Sequence, residues 1–209
     1  KVFRHMVSNE QINVIKRNGR GKESLDIDKI HSMVGFATEG ITGVSASHVE
    51  MNSGLQFFDG ISTDDIQQIL IKSANDLISL ESPNYQYVAA RLLLFSLRKS
   101  LHHRLWEHPK FITHIKKLVD LGLYDKGILD NYTEAEIDRM GMWIDHERDY
   151  SFTYAGLRQV MDKYLVQDRS TGEIFETPQF MYMMIAATLF AQYPKDTRLS
   201  YVKKYYDAI

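Results

Sequence analysis

The feature that most restricts the fold is a change of hydrophobic period near the start of the chain. Ile12 and Val14 alternate with polar residues up to the turn dipeptide Asn18-Gly19, and Leu25 and Ile27 alternate again after it. Alternation on both sides of such a dipeptide predicts a β-hairpin. Beyond the hairpin, apolar residues recur at helical spacing. The chain therefore has to pack one small β-element against a mainly helical body.

Capping signals divide the helical part into separate helices. Ser62-Thr63-Asp64-Asp65 offers hydroxyl and carboxylate groups to the positive end of a helix. Ser82-Pro83 predicts the next helix start, with proline at the first helical position. Thr133-Glu134-Ala135-Glu136 is a capping box, and Thr177-Pro178 caps and starts a further apolar helix. These signals predict a mainly α fold with a small β component.

Charge and composition exclude several classes of function. The net charge of −2 supplies no field that would attract nucleic acid or an anionic membrane. The absence of cysteine excludes disulfides, thiolate metal sites and a thiol nucleophile within this sequence. The first ten residues lack the apolar core of a signal peptide, and the most apolar run, 180–190, is too short to span a bilayer. We therefore expect no nucleic-acid or membrane partner and a cytoplasmic location.

The loop of the predicted hairpin is basic. Lys16 and Arg17 precede the turn, and Arg20 and Lys22 follow it. Ammonium and guanidinium groups pair with phosphate oxygens through charge-assisted hydrogen bonds, so this loop is a candidate phosphate site. A solvated surface hairpin explains the same charges, and from the residues alone it is the favoured interpretation.

Two histidine-containing segments are interpreted as structural or surface features. Residues 145–149 combine histidine with carboxylates, but they lack the i, i+4 ligand pair of a helical zinc site. A polar loop or helix end is therefore favoured there, and no metal site is predicted. His102, His103 and His108 adjoin basic residues and are predicted to lie on the surface.

Three separated segments give the sequence a more specific character, namely 14–19, 58–66 and 83–99. Together they resemble the ATP-cone, the allosteric nucleotide-binding domain at the N-terminus of ribonucleotide reductase large subunits. Four later segments resemble the helical region that follows the cone in aerobic, class I enzymes, namely 144–154, 163–167, 171–176 and 198–203. The resemblance covers nearly the whole chain.

This resemblance implies a domain organisation. It places an N-terminal extension at 1–10 and the ATP-cone at 11–104, as a helical bundle capped by a small β-sheet or hairpin. A helical segment at 105–209 then leads into the catalytic barrel of the family, which is absent from this chain.

The resemblance also implies an effector site for ATP or dATP, accompanied by Mg²⁺. The positions that match nucleotide-binding residues of the family are Val14, Lys16, Arg17, Glu23, Asp26, Lys29, Thr63, Gln67, Ser96 and Lys99. The resemblance assigns Lys16, Arg17 and Lys99 to contacts with the phosphates. It assigns Lys29 to a contact with a phosphate or with Glu23. Glu23 and Asp26 would accept hydrogen bonds from the base amino group or the sugar. Thr63 would add a hydroxyl beside the N–H groups of a helix start.

Three of these positions depart from the best-known bacterial pattern. Gln67 and Ser96 each replace a histidine, and Asp26 replaces an asparagine. ATP activates and dATP inhibits in the family, and the two ligands differ by one 2′-hydroxyl. The departures bear on inhibition by dATP more than on nucleotide binding. They also keep open an alternative, in which a degenerate cone is only a protein-interaction module.

The missing cysteines limit the chemistry that the resemblance assigns to this chain. The family makes deoxyribonucleotides from ribonucleoside diphosphates with a cysteine thiyl radical and a dithiol pair, so we expect no catalytic residue and no redox cofactor here. The chain is expected to be a fragment, or one piece of a large subunit encoded in parts. Expected partners are the remainder of the large subunit, further copies of it and the radical-generating small subunit. A repressor that carries an ATP-cone is disfavoured, because its zinc ribbon needs cysteines.

Overall fold

The computed structural model describes residues 12–16, 19 and 21–209, which form two compact units. The N-terminal unit comprises the described residues up to Ser96 together with Tyr150–Arg158. The C-terminal unit comprises Leu97–Asp149 and Gln159–Ile209. The predicted extension at 1–10 and three loop residues, Arg17, Asn18 and Arg20, lie outside the described residues.

The predicted hairpin is present and forms part of a three-stranded sheet. Its strands, β1 (Asn13–Ile15) and β2 (Lys22–Ser24), pair antiparallel with Val14 opposite Glu23. A third strand, β3 (Ile61–Ser62), pairs parallel with β1 on the other side, which makes β1 the central strand. The sequence does not predict β3, because two residues are too few to show alternation.

Helices make up most of the N-terminal unit, and their apolar faces form its core. The helices are α1 (Ile27–Thr38), α2 (Ala46–Gly54), α3 (Thr63–Asp76) and α4 (Tyr85–His102), whose residues from Leu97 onwards belong to the C-terminal unit. Val34, Leu70 and Leu92 are completely buried. The expected start of α4 at Pro83 is wrong by two residues. The Pro83 carbonyl accepts a hydrogen bond from the Gln86 N–H at 3.2 Å, so the proline lies in a turn ahead of the helix.

The C-terminal unit is also helical. Its elements are α5 (Phe111–Asp120), α6 (Gly127–Asn131), α7 (Glu134–Trp143), a 3-10 helix (His146–Ser151), α8 (Tyr154–Lys163), α9 (Pro178–Leu189) and α10 (Arg198–Ala208). The 3-10 helix and α8 each have residues in both units. The capping box that starts α7 is confirmed, because Thr133 and Glu136 exchange both hydrogen bonds. The sequence does not predict α6, which is too short to show helical periodicity.

One large apolar core holds the C-terminal unit together. It contains Phe111, Ile115, Ile137, Phe180 and Tyr206, all of which are almost completely buried. Pro178 occupies the first position of α9 as expected. Thr177 precedes it at the cap position without a side-chain capping bond, so the predicted hydroxyl cap is wrong. Its hydroxyl is instead buried without a hydrogen-bond partner among the described residues.

Candidate functional site

The parallel pairing of β1 and β3 brings two of the predicted site residues to one edge of the sheet. Ile15 is paired with Ser62, so Lys16 and Thr63 each follow the end of a strand at that edge. Thr63 is also the first residue of α3. Backbone N–H groups at a helix start have no acceptor within the helix and carry partial positive charge. This edge therefore combines an ammonium group, a hydroxyl group and a helix N-terminus.

The N-terminus of α3 is capped by its own side chains. The Ser62 hydroxyl accepts a hydrogen bond from the Asp65 N–H at 3.0 Å and donates one to the Asp65 carboxylate at 2.7 Å. Asp65 therefore bonds back towards the cap residue. The carboxylate of Asp65 is also favoured by the partial positive charge of the first turn of α3.

The hairpin loop depends on two glycines with positive φ. Gly19 and Gly21 have φ values of 67° and 97°, which other residues adopt only with strain. The Gly19 N–H donates to the Lys16 carbonyl at 2.8 Å, and the Lys16 N–H donates to the Gly21 carbonyl at 3.3 Å. These bonds fix the backbone of Lys16 at the end of β1. Arg17, predicted beside it, lies outside the described residues.

Two predicted cations are paired with two predicted carboxylates. Lys16 Nζ lies 2.9 Å from Glu23 Oε2, and both side chains remain about half exposed. Lys29 Nζ lies 3.3 Å from Asp26 Oδ2, so Lys29 pairs with Asp26 and not with Glu23. Asp26 is also the N-cap of α1, and its carboxylate accepts a hydrogen bond from the backbone N–H of Lys29. This bond is the main reason that the pKa of the Asp26 carboxyl group is lowered. Exposed pairs of this kind contribute little stability and can be exchanged for a ligand.

An aspartate clamp closes the other end of β1. Asp59 Oδ1 accepts hydrogen bonds from the backbone N–H of Asn13 at 2.8 Å and from its side-chain amide at 3.1 Å. The Gly60 N–H donates to the Asn13 carbonyl at 2.8 Å. The backbone N–H of Asn13 is the main reason that the pKa of Asp59 is lowered. The segment 58–66 thus positions β3 against β1, a role that only the structure reveals.

The remaining predicted positions lie on α3 and α4. Gln67 is 3% exposed, and its amide donates to the Leu92 carbonyl of α4 at 3.0 Å. Ser96 follows Leu92 by one helical turn and is half-buried. The Gln67 amide therefore ties α3 to α4 near Ser96. Lys99 lies in the last turn of α4 and belongs to the C-terminal unit.

A buried polar network in the C-terminal unit is not predicted from the sequence. Arg98 and Asp149 are 2% and 1% exposed, and Arg98 Nη2 donates to the His146 carbonyl at 2.6 Å and lies 3.4 Å from Asp149 Oδ2. Asp149 Oδ1 accepts from the Gln179 amide at 2.8 Å. The Tyr206 hydroxyl donates to Gln179 Oε1 at 2.7 Å. Burial raises the pKa of Asp149 to about 6, against the opposing effects of Gln179 and Arg98.

The predicted surface position of His102 and His108 is wrong. The ring of His108 stacks on that of His146 with centroids 3.5 Å apart, and His102 meets His108 edge-on at 5.4 Å. Each of these three rings has a buried nitrogen without a hydrogen-bond partner among the described residues. Desolvation by burial lowers the pKa of His102 to about 4, that of His108 to about 3 and that of His146 to about 2. All three rings are therefore neutral near pH 7.

Comparison with known proteins identifies both parts of the chain. Residues 12–100 match the ATP cone domain, and residues 150–209 match the all-alpha domain of ribonucleotide reductase. The chain is 49% identical over 201 residues to ribonucleoside-diphosphate reductase 1 subunit alpha of Escherichia coli, and this match covers 96% of the chain and 26% of that relative. The chain corresponds to the N-terminal region of ribonucleoside-diphosphate reductase α subunits, which contains the ATP cone and the all-alpha domain.

Other α subunits give matches of similar extent. The identity is 50% over 200 residues with the subunit of Haemophilus influenzae, covering 96% of the chain and 26% of that relative. It is 45% over 198 residues with the subunit of Enterobacteria phage T4, covering 95% of the chain and 26% of that relative. The chain thus spans about a quarter of the length of these reductase subunits.

These matches confirm the resemblance and the mainly α fold with an ATP cone. The individual nucleotide-binding positions and the domain limits at 11–104 and 105–209 stay predictions. No described helix is long and apolar enough to cross a membrane. Within the described ranges, no three histidine or carboxylate side chains are grouped so as to hold a metal ion.

Proposed function

We propose that the ATP cone of this chain binds ATP or dATP as an allosteric effector of a ribonucleoside-diphosphate reductase. The ATP cone match is the family-level support for an adenine nucleotide. The observation that carries the proposal is the parallel register of β1 and β3, which brings Lys16 and Thr63 to one sheet edge at the start of α3. A helix N-terminus beside a cation favours a phosphate group.

In this proposal the polyphosphate lies at the Lys16 edge and displaces Glu23 from its pair with Lys16. Lys16 and Arg17 are assigned to the phosphates, and Val14 is assigned to a place along the nucleotide. Lys99, which belongs to the C-terminal unit, stays a prediction of the family resemblance. The released Glu23 would accept a hydrogen bond from the base or sugar. The half-exposed state of the Lys16–Glu23 pair supports this exchange, because such a pair costs little to break.

The other predicted positions are assigned by the elements that carry them. Asp26 and Lys29 lie at the start of α1, where their mutual pairing leaves both accessible to a ribose or phosphate group. Gln67 and Ser96 are the positions assigned to the discrimination of ATP from dATP, and Gln67 acts through α4 by its bond to Leu92. Mg²⁺ would accompany the nucleotide and offset the negative charge of the Asp64 and Asp65 carboxylates in the first turn of α3.

At the level of the whole protein, we propose that effector binding regulates the synthesis of deoxyribonucleotides from ribonucleoside diphosphates. The thiol chemistry of that reaction requires cysteines that this sequence does not contain. The proposed partners are the remainder of the large subunit, further copies of it and the radical-generating small subunit. The effector would change the equilibrium between active and inactive assemblies. The free energy of that change would equal the difference between the binding free energies of the effector for the two assemblies.

The first test is Lys16→Ala. Loss of one charge-assisted contact to phosphate is expected to weaken the binding of ATP with Mg²⁺ by roughly tenfold to a hundredfold. Isothermal titration calorimetry on the 209-residue chain measures this change. Lys72→Ala is the matched control, since Lys72 is an exposed lysine of α3 that pairs with Asp76, and it should bind ATP as the parent chain does.

The calorimetry also tests the alternative of a degenerate cone. If the parent chain gives no binding heat with ATP or with dATP, the effector assignment is rejected and the alternative of a degenerate cone is favoured, while the family match stands. Equal affinities of Lys16→Ala and Lys72→Ala would reject the proposed location of the phosphates and leave nucleotide binding itself in place.

A further inference from the structure

A groove in the C-terminal unit has features of a second ligand site. It lies between the C-terminal part of α7 and the exposed face of α10, and its volume is about 730 Å³. This volume falls within the range of small-molecule sites in proteins, roughly 300–1,000 Å³. Of the groove-lining residues, only Trp143 and Leu199 are apolar. The groove thus has room for one ring system and lacks the row of apolar pockets that a bound peptide helix needs.

The groove has an excess of positive charge that the protein does not neutralise. Lys203 pairs with Asp207 at 2.6 Å on one wall. Arg139, Lys195 and Lys204 also line the groove, and none of the three forms an ion pair with any part of the chain that the structure describes. One further carboxylate, Asp196, faces them. The three unpaired cations against this single carboxylate leave a net charge of +2 for a ligand.

The two helices that line the groove, α7 and α10, are joined by buried contacts. Arg198, 3% exposed, donates through Nη2 to both carboxylate oxygens of Glu136 at 2.7 Å. Its guanidinium group also lies over the Tyr132 ring, 4.3 Å from the centroid. These contacts anchor the first turn of α10 to the start of α7.

We propose that this groove binds a mononucleotide, with the base on Trp143 and the phosphates between Arg139, Lys195 and Lys204. Indole rings stack on nucleic-acid bases of any sequence, and guanidinium and ammonium groups pair with phosphate oxygens. A flat ring joined to a small polyanion is the chemistry that matches one aromatic side chain and a charge of +2. The site lies in the C-terminal unit and is independent of the effector site proposed above.

The test uses ADP, because the two tryptophans of the chain provide a local signal. Trp106→Phe leaves Trp143 as the single indole, and its N–H resonance is followed by NMR during titrations with ADP, adenosine and pyrophosphate. We expect a saturable shift with ADP and a weaker response to adenosine or pyrophosphate alone. Lys195→Glu combined with Lys204→Glu should weaken ADP binding at this resonance by on the order of tenfold or more.

Two controls separate this site from the cone and from general charge effects. Lys126→Glu combined with Lys163→Glu makes the same change of charge on exposed lysines outside the groove and should leave the shift intact. Lys16→Ala should also leave it intact. The proposal is overturned by the absence of a saturable shift, by a shift that survives in the Lys195/Lys204 variant, or by a response to pyrophosphate equal to that with ADP.

Discussion

Arg98→Met is expected to lower the free energy of unfolding of the C-terminal unit by about 3–5 kcal/mol at pH 7. The change removes the cation 3.4 Å from the Asp149 carboxylate and leaves that carboxylate in a site that is 1% exposed. The His146 carbonyl also loses its 2.6 Å hydrogen bond. Urea denaturation followed by tryptophan fluorescence measures the effect, since both Trp106 and Trp143 belong to the C-terminal unit.

Two further variants assign the loss to the buried charge. Arg98→Met combined with Asp149→Leu removes both partners, and it should be more stable than Arg98→Met alone because no unpaired carboxylate remains. Arg104→Met is the matched control, since Arg104 pairs with Glu107 on the surface and each side chain is about two-thirds exposed. It should cost less than about 1 kcal/mol. Equal losses from Arg98→Met in the presence and in the absence of Asp149 would contradict the proposed cause.

Acidification from pH 7.5 to pH 5 is expected to destabilise the C-terminal unit by several kcal/mol. Burial lowers the pKa of His146 to about 2, and it lowers the pKa of His114, a residue of α5 that is 3% exposed, to about 3. The ordinary value in the unfolded chain is about 6.5. Lowered histidine pKa values mean that the unfolded state takes up protons first, so stability falls as the pH drops below 6.5. Linkage gives about 2 kcal/mol at pH 5 for each of these two rings. His102 and His108 act in the same direction but are less buried.

The carboxyl groups near the histidines act in the opposite direction. Asp149 has a folded pKa of about 6, above its ordinary value of 3.8, so its protonation between these values stabilises the fold as the pH falls. Burial also raises the pKa of Glu176, so this carboxyl group acts in the same direction as Asp149. Together they offset part of the effect of the histidines. Urea midpoints at pH 7.5, 6.0 and 5.0 test the balance. His146→Gln should reduce the dependence of the urea midpoint on pH relative to the parent chain. An equal dependence on pH in the variant and in the parent chain would exclude His146 as a cause.

The parts of the fold that sequence could predict are those encoded by neighbouring residues. The turn dipeptide Asn18-Gly19 predicts the hairpin, and the capping box of Thr133 and Glu136 predicts the start of α7. The phosphate-binding interpretation of the loop needed the family resemblance, because the basic residues alone favour an ordinary solvated hairpin. The resemblance did not predict the ion pair between Lys16 and Glu23.

The features that sequence could not predict join distant residues. Arg98 and Asp149 are 51 positions apart, and their contact depends on how α4 meets the 3-10 helix within the C-terminal unit. His108 and His146 stack although neither lies in a pattern that predicts burial. The two-residue strand β3 depends on its parallel pairing with β1, which is distant in sequence. Each of these depends on tertiary packing, which local propensity does not contain.

The Asn13–Asp59 clamp has a consequence for the fidelity of strand alignment. A slip of one residue between short strands exchanges the inward and outward faces of every side chain. Such a slip of β1 would turn Val14 out of the interior and carry Lys16 away from Thr63. Because Asp59 holds both the backbone and the side-chain amide of Asn13, it selects one alignment of β1 and β3. The alignment of the edge proposed to bind phosphate is thus set at the far end of the strand, by a residue that need never contact the proposed effector.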